Sequence, residues 1–270
     1  MPYQLVSTIL AGGLGKRMSS TKAKVLHEIN GKPMIYHVVQ KALQIGSERI
    51  FIVVGKYKND IQQALYSLYP HSTFLKFTFI DQPETSINGE LCCLGTGDAV
   101  RSCLSTFDEY HLSPSTKIII LSGDVPFINS QHLISFSKLT NAIMIANVSD
   151  PTGFGRVFTN QHNQLQNIIE HAICDPQQLL CTIVNAGIYN LTYKLLLDTI
   201  PRIEINPIKK QFFLFRTNKI CRDWVEKFAR YWHSWWFNDA ETKMAKKVIS
   251  PNKFSKKFFN KDIFFILNLD

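Results

Sequence analysis

Apolar positions in the first two hundred residues fall into short unbroken runs, separated by stretches with helical spacing. Leu5–Leu10, Ile50–Val54, Thr73–Ile80, Lys117–Leu121 and Ala142–Val148 read as strands. Runs apolar at successive positions mark strands buried on both faces. Pro33–Gln44, Asn59–Tyr69, a segment opening at Gly97–Leu104, and Ser130–Leu139 read as helices. Pro33 suits the first turn of its helix, and Gly46 lies just past the end. Strands and helices in alternation predict an α/β fold, a Rossmann-like and mostly parallel sheet flanked by helices with right-handed crossovers. Ligands in such sheets bind beyond the C-terminal ends of the strands, so chemistry is expected just after them. Residues 85–93 (TSINGELCC) read as an inserted loop, and no internal repeat is visible.

Composition adds a boundary to this picture. Apolar residues make up 45% of the 270, enough for a packed core. No apolar run approaches the roughly 18 residues of a membrane span. Met1–Leu10 lacks the features of a signal peptide, so a cytoplasmic location is expected. The six cysteines form no C-x-x-C pair and no zinc-like cluster, and read as reduced thiols. The formal charge of +9 is unevenly spread. Residues 1–206 carry 16 Lys and Arg against 15 Asp and Glu, whereas residues 207–270 carry 14 against 6 and all four tryptophans. The shift divides the chain into a domain, 1–206, and a basic, aromatic C-terminal extension, 207–270.

The first predicted strand runs into LAGGLGKRM, Leu10–Met18. Glycines there let the backbone approach a ligand and direct N–H groups at it, while Lys16 and Arg17 add positive charge suited to a triphosphate. The spacing is neither that of the P-loop nor G-x-G-x-x-G. On spacing alone, a tight turn without a ligand explains it equally well. Lys24 follows as a further cation for a leaving pyrophosphate, or as a solvated lysine. Asp124, directly after the isoleucine-rich strand, suits a hard cation such as Mg²⁺, or a turn cap.

These segments, read in order, carry a resemblance. LAGGLGKRM and KVLHEINGKPM are followed by LGTGDAV (94–100), LSGDVPFI (121–128), PTGFGRV (151–157), IIEHAICD (168–175) and VNAGIYN (184–190). Together they resemble the sugar-1-phosphate nucleotidyltransferases, above all the uridylyltransferase half of bacterial N-acetylglucosamine-1-phosphate uridylyltransferases. The resemblance implies a nucleotide-diphospho-sugar transferase fold with Leu10, Ala11, Gly12 and Gly13 against a nucleotide. It implies that Gln82, Gly95 and Thr96 read uracil, that Arg17 and Lys24 neutralise the triphosphate, and that Asp124 binds Mg²⁺. Gly155, Glu170 and Asn185 fall on sugar-binding positions. His27 and His171 are read as structural, because the attacking sugar phosphate is already anionic and needs no general base. The implied reaction joins UTP and N-acetylglucosamine 1-phosphate into UDP-N-acetylglucosamine and pyrophosphate.

The chain departs from the family pattern at several positions. Asp98 replaces the usual His, and Ala186 replaces a Thr. The second metal-binding asparagine falls nearest to Asn206, beside Pro207, and the resemblance ends at residue 215. Beyond it the tail has three readings: a helix from Asp223 to about Trp236 packed on the domain, a surface for nucleic acid or acidic membrane, or sequence acquired by a change of reading frame. No acetyltransferase activity is expected, since the β-helix repeats of bifunctional relatives are missing. The rival readings are a related enzyme with another base or sugar, and a protein that only binds a sugar nucleotide or nucleic acid.

Overall fold

The parallel strand Leu5–Leu10 lies between Lys117–Ser122 on one side and Arg49–Val54 on the other, with Phe77–Asp81 beyond the latter. The structure is a computed structural model that describes residues 2–13, 20–87, 90–160, 165–203, 212, 214, 234–235 and 263–268. It packs as two compact units: Met1–Ile128 with Leu191–Leu214, and Asn129–Asn190 with the described part of Phe215–Asp270.

In the first unit, the unbroken apolar runs become strands covered on both faces. Val6, Ile9, Ile50–Val54 and Ile118–Ile120 are wholly buried. Ser7, polar and equally buried, is satisfied by the Ser47 hydroxyl at 2.6 Å. Helix Met34–Gln44 presents Met34, Ile35, Val38, Val39 and Ala42 to the core, a stripe at helical spacing. Pro33 stands at its N-cap, and Gly46 ends it at φ +81°, where Gly46 N–H reaches Leu43 O and Ser47 N–H reaches Ala42 O. The expected helix at Asn59–Tyr69 is Lys58–Leu68.

Three local expectations are corrected. The strand expected from Thr73 begins at Phe77; Pro70 instead opens a helical turn, His71–Phe74, by accepting from Thr73 and Phe74 N–H. The helix expected over Gly97–Leu104 is two, Thr96–Arg101 and Leu104–Glu109. At the break, Ser102 Oγ bonds the Asp98 and Ala99 carbonyls and Cys103 Sγ bonds Ala99 O, so side chains compete for the acceptors that would continue the helix. The stretch read as an inserted loop contains a hairpin, Thr85–Ile87 against Glu90–Cys92.

The second unit is antiparallel, which the apolar runs did not foretell. Ala142–Asn147 lies between Ile183–Thr192 and Ile263–Asn268, antiparallel to both. Arg156–Thr159 pairs with Leu165–Ile169, and Arg156 bridges to Val184. The short link between Arg156–Thr159 and Leu165–Ile169 has no room for a crossover helix, which favours antiparallel pairing there. Most of the expected helix Asp223–Trp236 lies outside the described residues, but Ser234–Trp235 is a short strand paired with Ile263–Asn268. No helix among the described residues is long and apolar enough to cross a membrane.

Asn190, fully buried in this unit, donates to Phe136 O at 2.9 Å and Leu139 O at 2.8 Å, closing the end of helix Ser130–Ser137. Asn190→Ala should destabilise the protein by about 2 kcal/mol, the scale of leaving a buried acceptor unpaired. Urea denaturation of both proteins checks this.

Candidate functional site

The residues singled out in the sequence gather in two clusters, one in each unit. In the first unit, the strand Leu5–Leu10 keeps its ladder for one residue more, with Ala11 N–H on Val53 O at 2.8 Å. Gly12 follows in a close approach, where an added Cβ would stand 2.8 Å from Gln82 Oε1. At Gly13 an added Cβ would meet nothing within 4 Å, so internal packing does not require that glycine. Gln82, just past Phe77–Asp81, is held by its N–H on Val54 O at 2.7 Å and is 5% exposed. Its Nε2 donates to Gly95 O at 3.2 Å and to Asp98 Oδ2 at 3.1 Å. Gly95, at φ +97°, turns the chain into helix Thr96–Arg101. Gln82, Gly95 and the glycine turn are thus one connected group, despite the hairpin between them in sequence.

The second feature of this cluster is the ion pair between Lys24 Nζ and Asp124 Oδ2, joining residues 100 apart. Lys24 opens a 3-10 turn whose Val25 and Leu26 are buried anchors. Gly123 lies flat on the same ground. Its N–H bonds Leu10 O at 2.9 Å, and an added Cβ would stand 3.0 Å from Leu10 O and 3.1 Å from Val25 Cγ1. The residues beside Lys24 and Asp124 are therefore packed together, and the two charges meet at the C-terminal ends of strands Leu5–Leu10 and Lys117–Ser122. Ser122 Oγ donates to Asp124 Oδ1 at 2.6 Å. Burial pushes the Asp124 carboxyl up, but the Lys24 charge, with hydrogen bonds from Lys24, Ser122 and the backbone, outweighs it, and the net shift is downward. Asp124 is an anion at neutral pH. About a quarter of each side chain remains exposed, 29% for Lys24 and 25% for Asp124.

Beside this cluster lies a contact the sequence reading missed. Phe212 N–H bonds Leu94 O at 2.5 Å, Gly97 N–H bonds Phe212 O at 2.9 Å, and Leu214 N–H bonds Thr96 Oγ1 at 3.3 Å. Arg101 stacks on the Phe212 ring, 4.2 Å from its centre. Phe212 and Leu214, assigned by charge to the C-terminal extension, support the start of the helix that carries Gly95 and Thr96.

In the second unit, Gly155, Glu170 and Asn185 stand together. An added Cβ on Gly155 would lie 3.2 Å from Glu170 Oε1, and Gly155 O accepts from Asn185 N–H at 2.9 Å. Asn185 Nδ2 donates to Tyr189 OH at 2.8 Å and its Oδ1 accepts from Gly187 N–H at 2.9 Å, which fixes the amide. Burial pushes the Tyr189 phenol up to about 12, so it stays protonated. Arg156, 1% exposed, was also missed. It donates to Phe154 O at 2.6 Å, to Pro151 O and to His171 Nδ1, and so ties the chain before Gly155 to the turn after Glu170. His171 is thereby tied into this loop packing. Arg17 and Asn206 lie outside the described residues.

The nucleotidyl transferase family profile matches residues 6–230. The chain belongs to the nucleotidyl transferase family. Among its relatives, a probable UDP-N-acetylglucosamine pyrophosphorylase of Acanthamoeba polyphaga mimivirus is 34% identical over 226 residues, covering 81% of this chain and 82% of that protein. The bifunctional protein GlmU of Picosynechococcus sp. is 31% identical over 212 residues, 76% of this chain and 43% of the relative. This nucleotidyl transferase therefore spans less than half the length of the bifunctional relative. Two solved structures share the fold: a putative glucose-1-phosphate thymidylyltransferase from Bacillus anthracis, at a TM-score of 0.57 and 22% identity over 83% of each chain, and a UDP-glucose pyrophosphorylase, at 0.60 and 15% over 84% and 89%.

Proposed function

We propose that this nucleotidyl transferase couples UTP to N-acetylglucosamine 1-phosphate, releasing pyrophosphate and forming UDP-N-acetylglucosamine. The observation that carries the reading is the Lys24–Asp124 pair beside the glycine turn, at the strand ends where such folds bind ligands. The choice of uridine and N-acetylglucosamine is supported by the mimivirus relative's description and by the ordered motifs.

Gly12 and Gly13 give the triphosphate access to the backbone, and Gln82 with Gly95 and Thr96 faces the base. Lys24, joined by Arg17, neutralises charge on the phosphates. Gly155, Glu170 and Asn185 take the sugar. Among the described residues, no cluster of three or more His, Cys, Asp or Glu could hold a metal by itself. A lone carboxylate still fits Mg²⁺, which is usually held by one or two carboxylates plus substrate phosphates. Both Asp124 oxygens make a hydrogen bond, yet a carboxylate offers about four lone-pair sites, so acceptor capacity remains. Asp124 would hold the ion, with Asn206 as second ligand, and the ion supplies charge stabilisation on the phosphates. An oxygen of the sugar phosphate attacks the α-phosphorus in line while the bond to pyrophosphate breaks. No covalent enzyme intermediate forms, and catalysis is positioning plus charge neutralisation.

Pyrophosphate release, measured with UTP, N-acetylglucosamine 1-phosphate and Mg²⁺, tests the reading. Release that needs both substrates supports it. Folded protein that releases none with these substrates refutes it. Gly12→Ala should raise KM for UTP about tenfold with a smaller change in kcat. The new methyl collides with a Gln82 side chain already fixed by two hydrogen bonds, so the turn must move. Initial rates against UTP concentration separate the two constants.

A further inference from the structure

Asp98 follows Gly95 and Thr96 in sequence, and its surroundings show what its carboxylate does. It is 8% exposed in the first turn of helix Thr96–Arg101, and its Oδ2 lies 3.1 Å from Gln82 Nε2. The same Nε2 is 3.2 Å from the Gly95 carbonyl. A carboxylate and a carbonyl are both acceptors, and the amide nitrogen is the only donor Gln82 has at that end. Turning the amide over would set its oxygen against two other oxygens. The orientation is therefore dictated by chemistry: nitrogen toward Asp98 and Gly95, oxygen toward Gly12.

Resting on the proposal that a nucleotide binds at the glycine turn, we infer that Asp98 is a specificity-determining residue. It locks Gln82 so that the amide presents only its carbonyl oxygen to the base. Both Nε2 hydrogens are committed, so Gln82 can accept a hydrogen bond from the base but cannot donate one. The base that fits offers a ring N–H, as uracil does at N3. Cytosine offers a bare acceptor at that ring position and opposes oxygen with a lone pair. An imidazole at position 98 with a nitrogen protonated toward Gln82 would replace one of the two acceptors with a donor and set the amide between opposing demands, so base reading at Gln82 depends on residue 98.

Asp98→Asn tests this. Its amide can donate to Gln82 Oε1, which permits the reversed orientation with Nε2 toward the glycine turn. Dissociation constants for UTP and CTP would be measured on the full chain and the variant, together with hydrogen exchange of the Gln82 side-chain amide. The wild type should bind UTP in preference to CTP and protect both Gln82 amide protons. In Asp98→Asn the UTP-to-CTP preference should fall by about tenfold or more, the scale of one hydrogen bond exchanged for an opposed pair. A purely structural role for Asp98 would weaken both nucleotides alike. An unchanged ratio, with UTP still bound, overturns the inference and leaves the nucleotide site standing. A wild type that binds neither nucleotide removes the reading on which the inference rests, and the inference with it. Should Asp98→Asn not fold, Asp98→His is read by the same ratio and the same two outcomes.

Discussion

Asp124→Asn should lower kcat for pyrophosphate release by about 10³-fold or more while the protein stays folded, because an amide keeps the shape of the carboxylate but removes its charge. Asp124 is the anion at this strand end, held ionised by Lys24 and Ser122. On the proposed function the substitution would deprive a divalent cation of its carboxylate, and it removes the charge that Asp124 sets against Lys24. A structural cost is expected as well, since removing one partner of a largely buried pair leaves the other charge partly uncompensated. Thermal denaturation and single-turnover rates over a range of Mg²⁺ concentrations separate the two effects. A fall in rate that high Mg²⁺ partly restores places Asp124 on the metal. Near-normal turnover at ordinary Mg²⁺ removes Asp124 from the chemistry.

How far the sequence reached can be judged on this same pair. Apolar runs followed by glycine or aspartate placed Leu10–Gly13 and Asp124 just past strands, because strands buried on both faces leave an unbroken apolar record, whereas Gln82 was named by the resemblance alone. The meeting of Lys24 with Asp124 left no such record. It depends on the register that sets Leu10 beside Ser122 and on the bare α-carbon of Gly123 against Leu10 and Val25. The antiparallel unit was also hidden: Asn190 and Arg156 are polar residues whose partners are backbone carbonyls elsewhere in the unit, and spacing does not encode such partners. Phe212 was assigned to the tail by the charge shift, yet its backbone pairs with Leu94 and Gly97. Average charge reports what is exposed to solvent, whereas a docked segment is fixed by its hydrogen bonds.

Lys24→Ala should lower kcat by about 10²-fold or more with a modest change in UTP affinity, because negative charge builds on the leaving pyrophosphate chiefly in the transition state. The pairing seen here gives this prediction its particular form. Lys24 neutralises Asp124 as the structure stands, so engaging a phosphate requires the ammonium to be shared or passed on. On the proposed function Asp124 would hold the cation and Lys24 would pair with the triphosphate, so each charge would exchange its present partner for a new one. Both charges then stay compensated throughout, which avoids the cost of an isolated ion in a partly buried setting. Two results follow from this exchange. The kcat loss in Lys24→Ala should exceed the loss in UTP binding, and Lys24→Ala should bind Mg²⁺ more tightly than the wild type when no nucleotide is present, because the ammonium that pairs with Asp124 here is removed. Mg²⁺ titration of both proteins reads the second result directly. Equal Mg²⁺ affinity in the two would show that the pair and the metal do not compete, and an unchanged kcat would return Lys24 to an ordinary surface role.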